Sequence, residues 1–452
     1  MGYHLSMSDA IQEPDSRETG LPATNSKSLK RLRFSIRFLL LATLVSACVF
    51  AWANQRAKEC KAEASIVEKL QADGIKIEVI TRPPNLFEKV FGSRFSKQSW
   101  HVQLDFKDIG SILPLTELEH VESISSSIVH EDLYAYSHFK NLKTLYLGQC
   151  YALKSLSGIE KLQNLASLEL HDVDRIESCE PLANLKGLQH LELDYDDNSK
   201  LKDLGEVIPQ LSGLKSFTTD IFDPDSFECF AGLENLEELD LQLDFSNATS
   251  LDGLDKAPNL KKLSLVYCSK ITDFKALNAM SAMTDLYIKD ANVESIEFLR
   301  VMKNLKSLAL QLDPSKINPD IAPLEILQNL GNLQTNFAAI EEMQSLSSLS
   351  KLKKLTITGS CSPAFDFAKL SELPQLKILQ LSSANNLQSL DGIESLTGLD
   401  EFGVMYCHDL SNIRALRKLQ QLKKIRIWRC IKLPKEQVEN LISWLNAEFN
   451  VQ

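Results

Sequence analysis

One short phrase, Asn-Leu-x-x-Leu-x-Leu or a near copy, recurs thirteen times along this chain. Its first leucine falls at Leu142, Leu165, Leu188, Leu214, Leu236, Leu260, Leu305, Leu330, Leu352, Leu376, Leu399 and Leu422, and Met283 takes that place once. Successive starts lie 22 to 26 residues apart. A fixed period in this range marks units that cannot bury an apolar face alone and must stack on copies of themselves. Such a stack grows around one continuous core, so a length of 452 residues does not imply two or three separate globules. Its product is a long surface rather than an enclosed pocket, which points to binding.

Each unit divides in two. In NLKTLYLGQC, Leu142, Leu145 and Leu147 point inward, and Leu145 and Leu147 carry the period-2 pattern of a strand. Leu153, Leu156, Ile159 and Leu162 then recur every three residues, the spacing of a 3₁₀ helix or a single α turn on the opposite side. Between the halves lies a small buried slot, three residues past the last strand leucine. Cys150, Cys268, Cys407 and Cys430 fill it in four units, Val173, Ala291 and Ala384 in others. The slot explains why cysteines are scattered through the chain without a disulfide framework or a Cys-x-x-Cys metal spacing. Cys407 and Cys430 fall in adjacent units, about 5 Å apart by strand spacing. A pair of free buried thiols and a disulfide are both open at that distance.

The ends are irregular, as caps of a stack must be. Residues 54–73 are rich in Ala, Lys and Glu and predict a short helix stopped at Gly74. IKIEVI at 75–80 alternates as a strand, Pro83-Pro84 breaks the chain, and WHVQLDF at 100–106 reads as a first, degenerate strand. Leu118, Val121 and Ile124 suggest a further imperfect unit. At the far end Leu433-Pro434 closes the array. KEQVENLISWLNAEF then predicts a capping helix with Val438, Leu441, Trp444 and Leu445 on one face. Inside the array, Phe217, Thr219 and Thr335 replace strand leucines, and Asp194 to Lys200 and Asp313 to Lys316 lengthen two loops. These departures mark either a local bend or drift at tolerant positions.

The N-terminus reads as an address. Residues 1–33 form a polar tail without periodicity, predicted to be disordered. The uncharged run from Phe38 to Ala53, extended back to Phe34 across a single Arg37, gives residues 34–53 enough length for a transmembrane helix. Lys27, Lys30, Arg31, Arg33 and Arg37 precede it, so the positive-inside bias puts the tail in the cytoplasm and the repeats beyond the membrane. A cleaved signal peptide with its site at Ala51-Trp52-Ala53 is the rival reading, and it would release a secreted protein. A buried core helix is the third. The expected domains are therefore 1–33 tail, 34–53 transmembrane helix, 54–98 juxtamembrane helix and N-terminal cap, 99–433 repeat stack, and 434–452 capping helix and tail.

On these residues the chain resembles the leucine-rich-repeat family over about residues 99–433. DGIESLTGLDEFGV and GIEKLQNLASLEL are similar to the short units of internalins and of phosphatase-regulatory leucine-rich proteins, while CSKITDFKAL leans toward the cysteine-containing class. The resemblance implies an α/β horseshoe solenoid. Its parallel sheet would lie on the concave face and its 3₁₀ or short helical turns on the convex face. It implies protein binding only broadly, since one fold serves many unrelated partners. The entry Arg33-Phe34-Ser35-x-Arg37-x-Leu39-Leu40, a short span and an alanine-rich stalk resemble a group of bacterial single-span membrane proteins.

Motifs for catalysis do not stand out. There is no nucleophile elbow, phosphate-binding glycine loop or His-Glu-x-x-His. His120, His130 and His138 cluster only loosely. Asp194 to Asn198 resembles the start of a calcium loop, but Ser199 stands where that loop needs glycine and Gly205 where it needs glutamate. The expectation is a chain that is not an enzyme and holds no cofactor or metal. A net charge of −11 argues against nucleic acid as a partner. The binding residues should be those facing outward from the strands. Glu169, His171, Glu192, Asp194, Asp220, Glu238, Asp240 and Asp244 form an acidic row that would meet a basic protein partner, against the plainer reading of a solvated acidic face. Tyr406, Lys424, Arg426, Trp428 and Arg429 form a basic-aromatic group of the residue types enriched at binding hot spots. The function expected is a membrane-anchored interaction scaffold displayed outside the cytoplasm. A secreted adhesion or effector protein is one alternative, and an enzyme with an unrecognised site is another.

Overall fold

The computed structural model describes residues 36–80, 99–104, 113–118, 120–127, 130–194, 201, 203–220, 222, 224–243, 246–312, 320–336, 347–359, 365–444 and 448–451. The expected tail at 1–33, the Pro83-Pro84 break, the two lengthened loops past Asp194 and Leu312, and Asp244 and Leu445 lie outside these residues. The chain falls into two units, 1–58 and 59–452.

Helix α1 runs from Ile36 to Ala72. No boundary separates its apolar start from the Ala, Lys and Glu that follow, because all are good helix formers. Separate helices at 34–53 and 54–73 were expected, and one continuous helix stands there instead. Among the described residues no helix is long and apolar enough to cross a membrane. The helix ends as predicted at Gly74, whose φ of 83° lets its N–H reach the Gln71 carbonyl at 3.0 Å while Ile75 N–H reaches Leu70 O. Val67 and Leu70 near this end are buried in the core of the stack.

Among the described residues seventeen strands form one sheet. The edge strand β1 (Lys76–Val79) runs antiparallel to β2 (Trp100–Leu104), an arrangement the sequence pattern did not reveal. From β2 onward each strand pairs in parallel with the next in sequence, through β3 (Val121–Ser126), β4 (Thr144–Leu147), β5 (Ser167–Leu170), β6 (His190–Leu193), β7 (Ser216–Thr219) and β8 (Glu238–Gln242). The ladder continues through β9 (Lys262–Val266), β10 (Asp285–Ala291), β11 (Ser307–Leu312), β12 (Asn332–Thr335), β13 (Lys354–Thr358), β14 (Ile378–Ser382), β15 (Glu401–Met405) and β16 (Lys424–Trp428). Between strands the three-residue spacing produces 3₁₀ turns, such as Ile159–Lys161, Leu254–Lys256 and Ile393–Ser395, and one α turn at Leu204–Val207. The repeat leucines are almost wholly buried along the described stack, so a continuous apolar column separates sheet from turns.

The asparagine of the repeat phrase has a job its position in sequence did not disclose. Asn164, Asn235, Asn259 and Asn329 each donate their side-chain amide to a backbone carbonyl one unit earlier, at 2.7 to 3.1 Å. Backbone acceptors that a turn leaves open are thereby satisfied rung to rung. The cysteine slot behaves as expected. Cys150 Sγ donates to Leu147 O at 3.3 Å, and Cys407 and Cys430 remain free thiols. Phe217 and Thr219 do not bend the ladder out of register. β7 stays in register with both neighbours, and Phe217 is fully buried against Phe222 and Phe230, with ring centroids 6.4 and 6.1 Å away.

The C-terminal cap differs from the predicted one. Helix α2 (Lys435–Ile442) stops before Trp444, which is exposed, and of the described residues on that face Leu441 is buried and Val438 partly covered. Beyond it β17 (Glu448–Val451) adds a parallel strand to β16. The edge of β16 offers unpaired backbone groups, and pairing with β17 satisfies them.

Candidate functional site

In each parallel strand the residue between the two inward leucines faces away from the core. Because the rungs are in register, these residues line up across the sheet as Tyr146, Glu169, Glu192, Thr218, Asp240, Ser264, Tyr287, Ala309 and Gln334 on β4 to β12. Three of the first five are carboxylates. Among the described residues no hydrogen bond or ion pair engages Glu169, Glu192 or Asp240, although lysines elsewhere pair freely with acids. Burial first, then the nearby charges of Glu169, Asp194 and Asp240, hold the Glu192 carboxyl above the ordinary carboxylate range, with His171 opposing.

The remaining members of the expected acidic row sit differently. Glu238 lies one column over and is neutralised by Lys262, 2.5 Å away. His171 and Asp194 leave the ends of β5 and β6 together. His171 Nδ1 is hydrogen-bonded to Asp194 Oδ2, and Asp194 Oδ1 accepts the Asp172 N–H at 3.1 Å. That second bond depends on Asp172 adopting a φ of 59°, a turn the strand pattern does not reveal. The ring of His171 also leans on Tyr146, centroids 5.0 Å apart. Asp220 follows β7 and is half-buried, with Oδ1 shielded from solvent and unbonded. The structure thus brings Glu169, Glu192, His171 and Asp194 together, places Asp240 further along the same column, and sets Glu238 and Asp220 to its sides.

His171, Glu192 and Asp194 offer donor atoms within 4.8 Å of one another, a set that could hold a cation. The His171–Asp194 hydrogen bond already accounts for two of the three, which makes this grouping intelligible without an ion.

At the other end the basic-aromatic residues do gather on β15 and β16 and their exits. Arg426 Nη1 lies 3.5 Å from Glu401, so its charge is partly met within the sheet. Arg429 stands over the exposed ring of Tyr406 at 5.8 Å, both residues having left-handed backbone. Lys424 occupies the column beside Arg426, and Trp428 is half-buried rather than free-standing. Beneath this group Cys430 is half-buried. The Cys407 thiol, hydrogen-bonded to it, lowers its pKa to about 7, whereas burial pushes Cys150 up to about 12.

Sequence reasoning missed a hollow of about 360 Å³ on β7 to β12, lined in part by Thr218, Asp240, Ser264, Tyr287 and Ala309. A second, of about 450 Å³, opens beside His171 and Tyr146. The signal for the first was present, since small side chains stand at the outward position of three strands. Its depth depends on which rungs are neighbours.

Three comparisons bear on this architecture. A family model described as "Leucine-rich repeat region" matches residues 120–391. The disease resistance protein RPS4B of Arabidopsis thaliana is 27% identical over 198 residues, covering 38% of this chain but only 16% of that protein. Among solved structures, a leucine-rich-repeat protein of Leptospira interrogans superposes with a TM-score of 0.50 at 18% identity. The match covers 76% of this chain and 99% of the other. An internalin of Listeria monocytogenes gives a TM-score of 0.49 at 22% identity, covering 72% and 86%.

Proposed function

This chain belongs to the leucine-rich repeat family, and from that premise we propose that it is an interaction scaffold. In this reading the outward sheet face docks a protein partner that is basic where it meets β5 to β8. One observation carries the reading. Among the described residues Glu169, Glu192 and Asp240 share the central column without counter-ions, and Glu192 keeps its place there although burial and like charges raise its pKa. Carboxylates kept unpaired on one face would steer a cationic surface toward it and fix its orientation. The basic-aromatic group at Tyr406, Lys424, Arg426, Trp428 and Arg429 would be a second contact at the far end. It is the weaker one, because Glu401 and the Tyr406 ring already occupy Arg426 and Arg429.

The proposal also places the scaffold outside the cytoplasm, tethered through residues 34–53. What supports this is the uncharged run from Phe38 to Ala53 and the exposure of Leu41, Leu44, Val45, Val49, Phe50 and Trp52 on α1. Release after Ala53 is the alternative.

Two experiments test the reading. Partner recovery by the intact chain is compared with that of the triple variant Glu169→Gln, Glu192→Gln, Asp240→Asn at low and high salt. Recovery should fall at least tenfold in the variant and with salt, and equal recovery would remove the acidic face from consideration. Carbonate-washed membrane fractionation with N-terminal sequencing decides the tether. An intact chain in the pellet supports it, and a soluble chain beginning at Asn54 replaces it with secretion.

A further inference from the structure

The hollow on β7 to β12 has a shape that selects one kind of side chain. Asp240, Ser264 and Tyr287 are direct register neighbours on β8, β9 and β10. Two strand spacings, about 9.5 Å, separate the backbones of Asp240 and Tyr287. The side chain between them is a serine, so a slot opens over Ser264 with a carboxylate as one wall and an aromatic ring as the other. On the far side of Tyr287 the next neighbour is Ala309, so the ring stands between two small residues and neither flanks it with bulk. Asp240 is exposed and carries no hydrogen bond or ion pair among the described residues. At Tyr287 burial raises the phenol pKa, the Lys289 ammonium opposes it, and the charges of Asp290 and then Asp240 add to the rise. Ser216, Ser307 and Gln334 add polar groups around the rim.

We propose that this slot is the seat of an arginine side chain from an extended segment of the protein partner. A guanidinium is planar, lies against aromatic faces and presents a fork of donors to a carboxylate. A lysine ammonium would meet Asp240 as a point charge but would not exploit the ring as fully. The chain uses the same chemistry internally. Arg429 lies over Tyr406 and Lys289 over Tyr267, 5.2 Å from its centroid, whereas among the described residues no cation lies over the Tyr287 ring: Lys262 at the rim is held by Glu238, and Lys289, whose charge reaches Tyr287, lies over its neighbour. The proposal rests on the docking reading above and narrows it from a basic partner to one residue type at one place.

The test uses the full chain and a fluorescent twelve-residue Gly/Ser peptide bearing two arginines. Two twins carry lysine or citrulline in their place, and anisotropy at low salt reads binding. The arginine peptide should bind at least tenfold more tightly than the citrulline twin and measurably more tightly than the lysine twin. Asp240→Asn should erase most of that preference. Ser264→Leu, which fills the slot and leaves every charge in place, should weaken the arginine peptide at least fivefold, with circular dichroism confirming the fold. Binding indifferent to Ser264→Leu, but lost in Glu169→Gln with Glu192→Gln, would overturn the slot and leave the acidic docking face standing. Absence of any binding by the arginine peptide to the wild-type chain would overturn both.

Discussion

Replacing Glu192 by glutamine should stabilise this protein while weakening its binding. Glu192 and Glu169 are directly opposed on β6 and β5, so their Cβ atoms are about 5 Å apart. Two charges at that distance repel by roughly 0.8 kcal/mol in a water-like medium and about 3 kcal/mol at an effective dielectric near 20. Glu192 is half-buried but still reached by solvent, so screening holds the effect toward the lower figure, and like pairs across strands typically cost about 0.2–1 kcal/mol. The pH dependence follows from the raised carboxyl pKa. The folded state binds a proton more readily than the unfolded chain, whose value is near 4.5. The penalty is therefore complete above the folded pKa, and it is relieved as pH falls through that value and below 4.5. Equilibrium urea unfolding of wild type and Glu192→Gln at 10 mM salt and pH 7.5 should show a gain of about 0.5–1 kcal/mol for the variant. The gain should shrink in 1 M salt, where the Debye length is about 3 Å, and again at pH 4. A loss of stability, or a gain indifferent to both salt and pH, would refute the idea that this face stores unpaired charge.

Phe217→Ala should cost about 3–5 kcal/mol, because the ring is fully buried among Phe222 and Phe230 and no side chain can replace it. Phe217→Leu should cost clearly less, and equal losses in chemical unfolding would argue against ring packing as the reason β7 stays in register. Gly253→Ala should destabilise more than Gly232→Ala. Both have positive φ, worth about 1–3 kcal/mol of strain, but a Cβ at 253 would sit 2.4 Å from the Glu228 nitrogen while one at 232 meets nothing within 4 Å. Cys430 should be the thiol alkylated first by iodoacetamide among those of the stack, with its rate rising around pH 7. In Cys407→Ala that rise should move to the ordinary thiol range. A profile unchanged by the substitution would mean that Cys407 does not hold the Cys430 thiolate.

How much of this was legible beforehand differs from element to element. The strands from β4 to β16 follow from the leucine phrase, since a period of two inside a period near 23 leaves one way to bury every leucine. The same alternation places Glu169, Glu192 and Asp240 outward without any coordinates. IKIEVI at 75–80 was readable as a strand, but its antiparallel pairing with β2 was not, and the final strand β17 was not readable at all. Short segments become strands when an open sheet edge is there to pair with, and that edge exists only after folding. Helix α1 shows the opposite limit, because local propensity accounts for its continuity and says nothing of what surrounds it.

Taken alone, the order of residues determined which side chains enter the core and which face away, because inward and outward are decided within a single rung. The repeat phrase also aligned the outward residues in a row, and the tertiary structure alone decided how those neighbours meet. Opposing Glu169 to Glu192, joining His171 to Asp194, and opening a slot over Ser264 between Asp240 and Tyr287 all depend on contacts between residues more than twenty positions apart. Those contacts are set by backbone pairing between rungs, and loop lengths that vary from unit to unit leave no local trace of them.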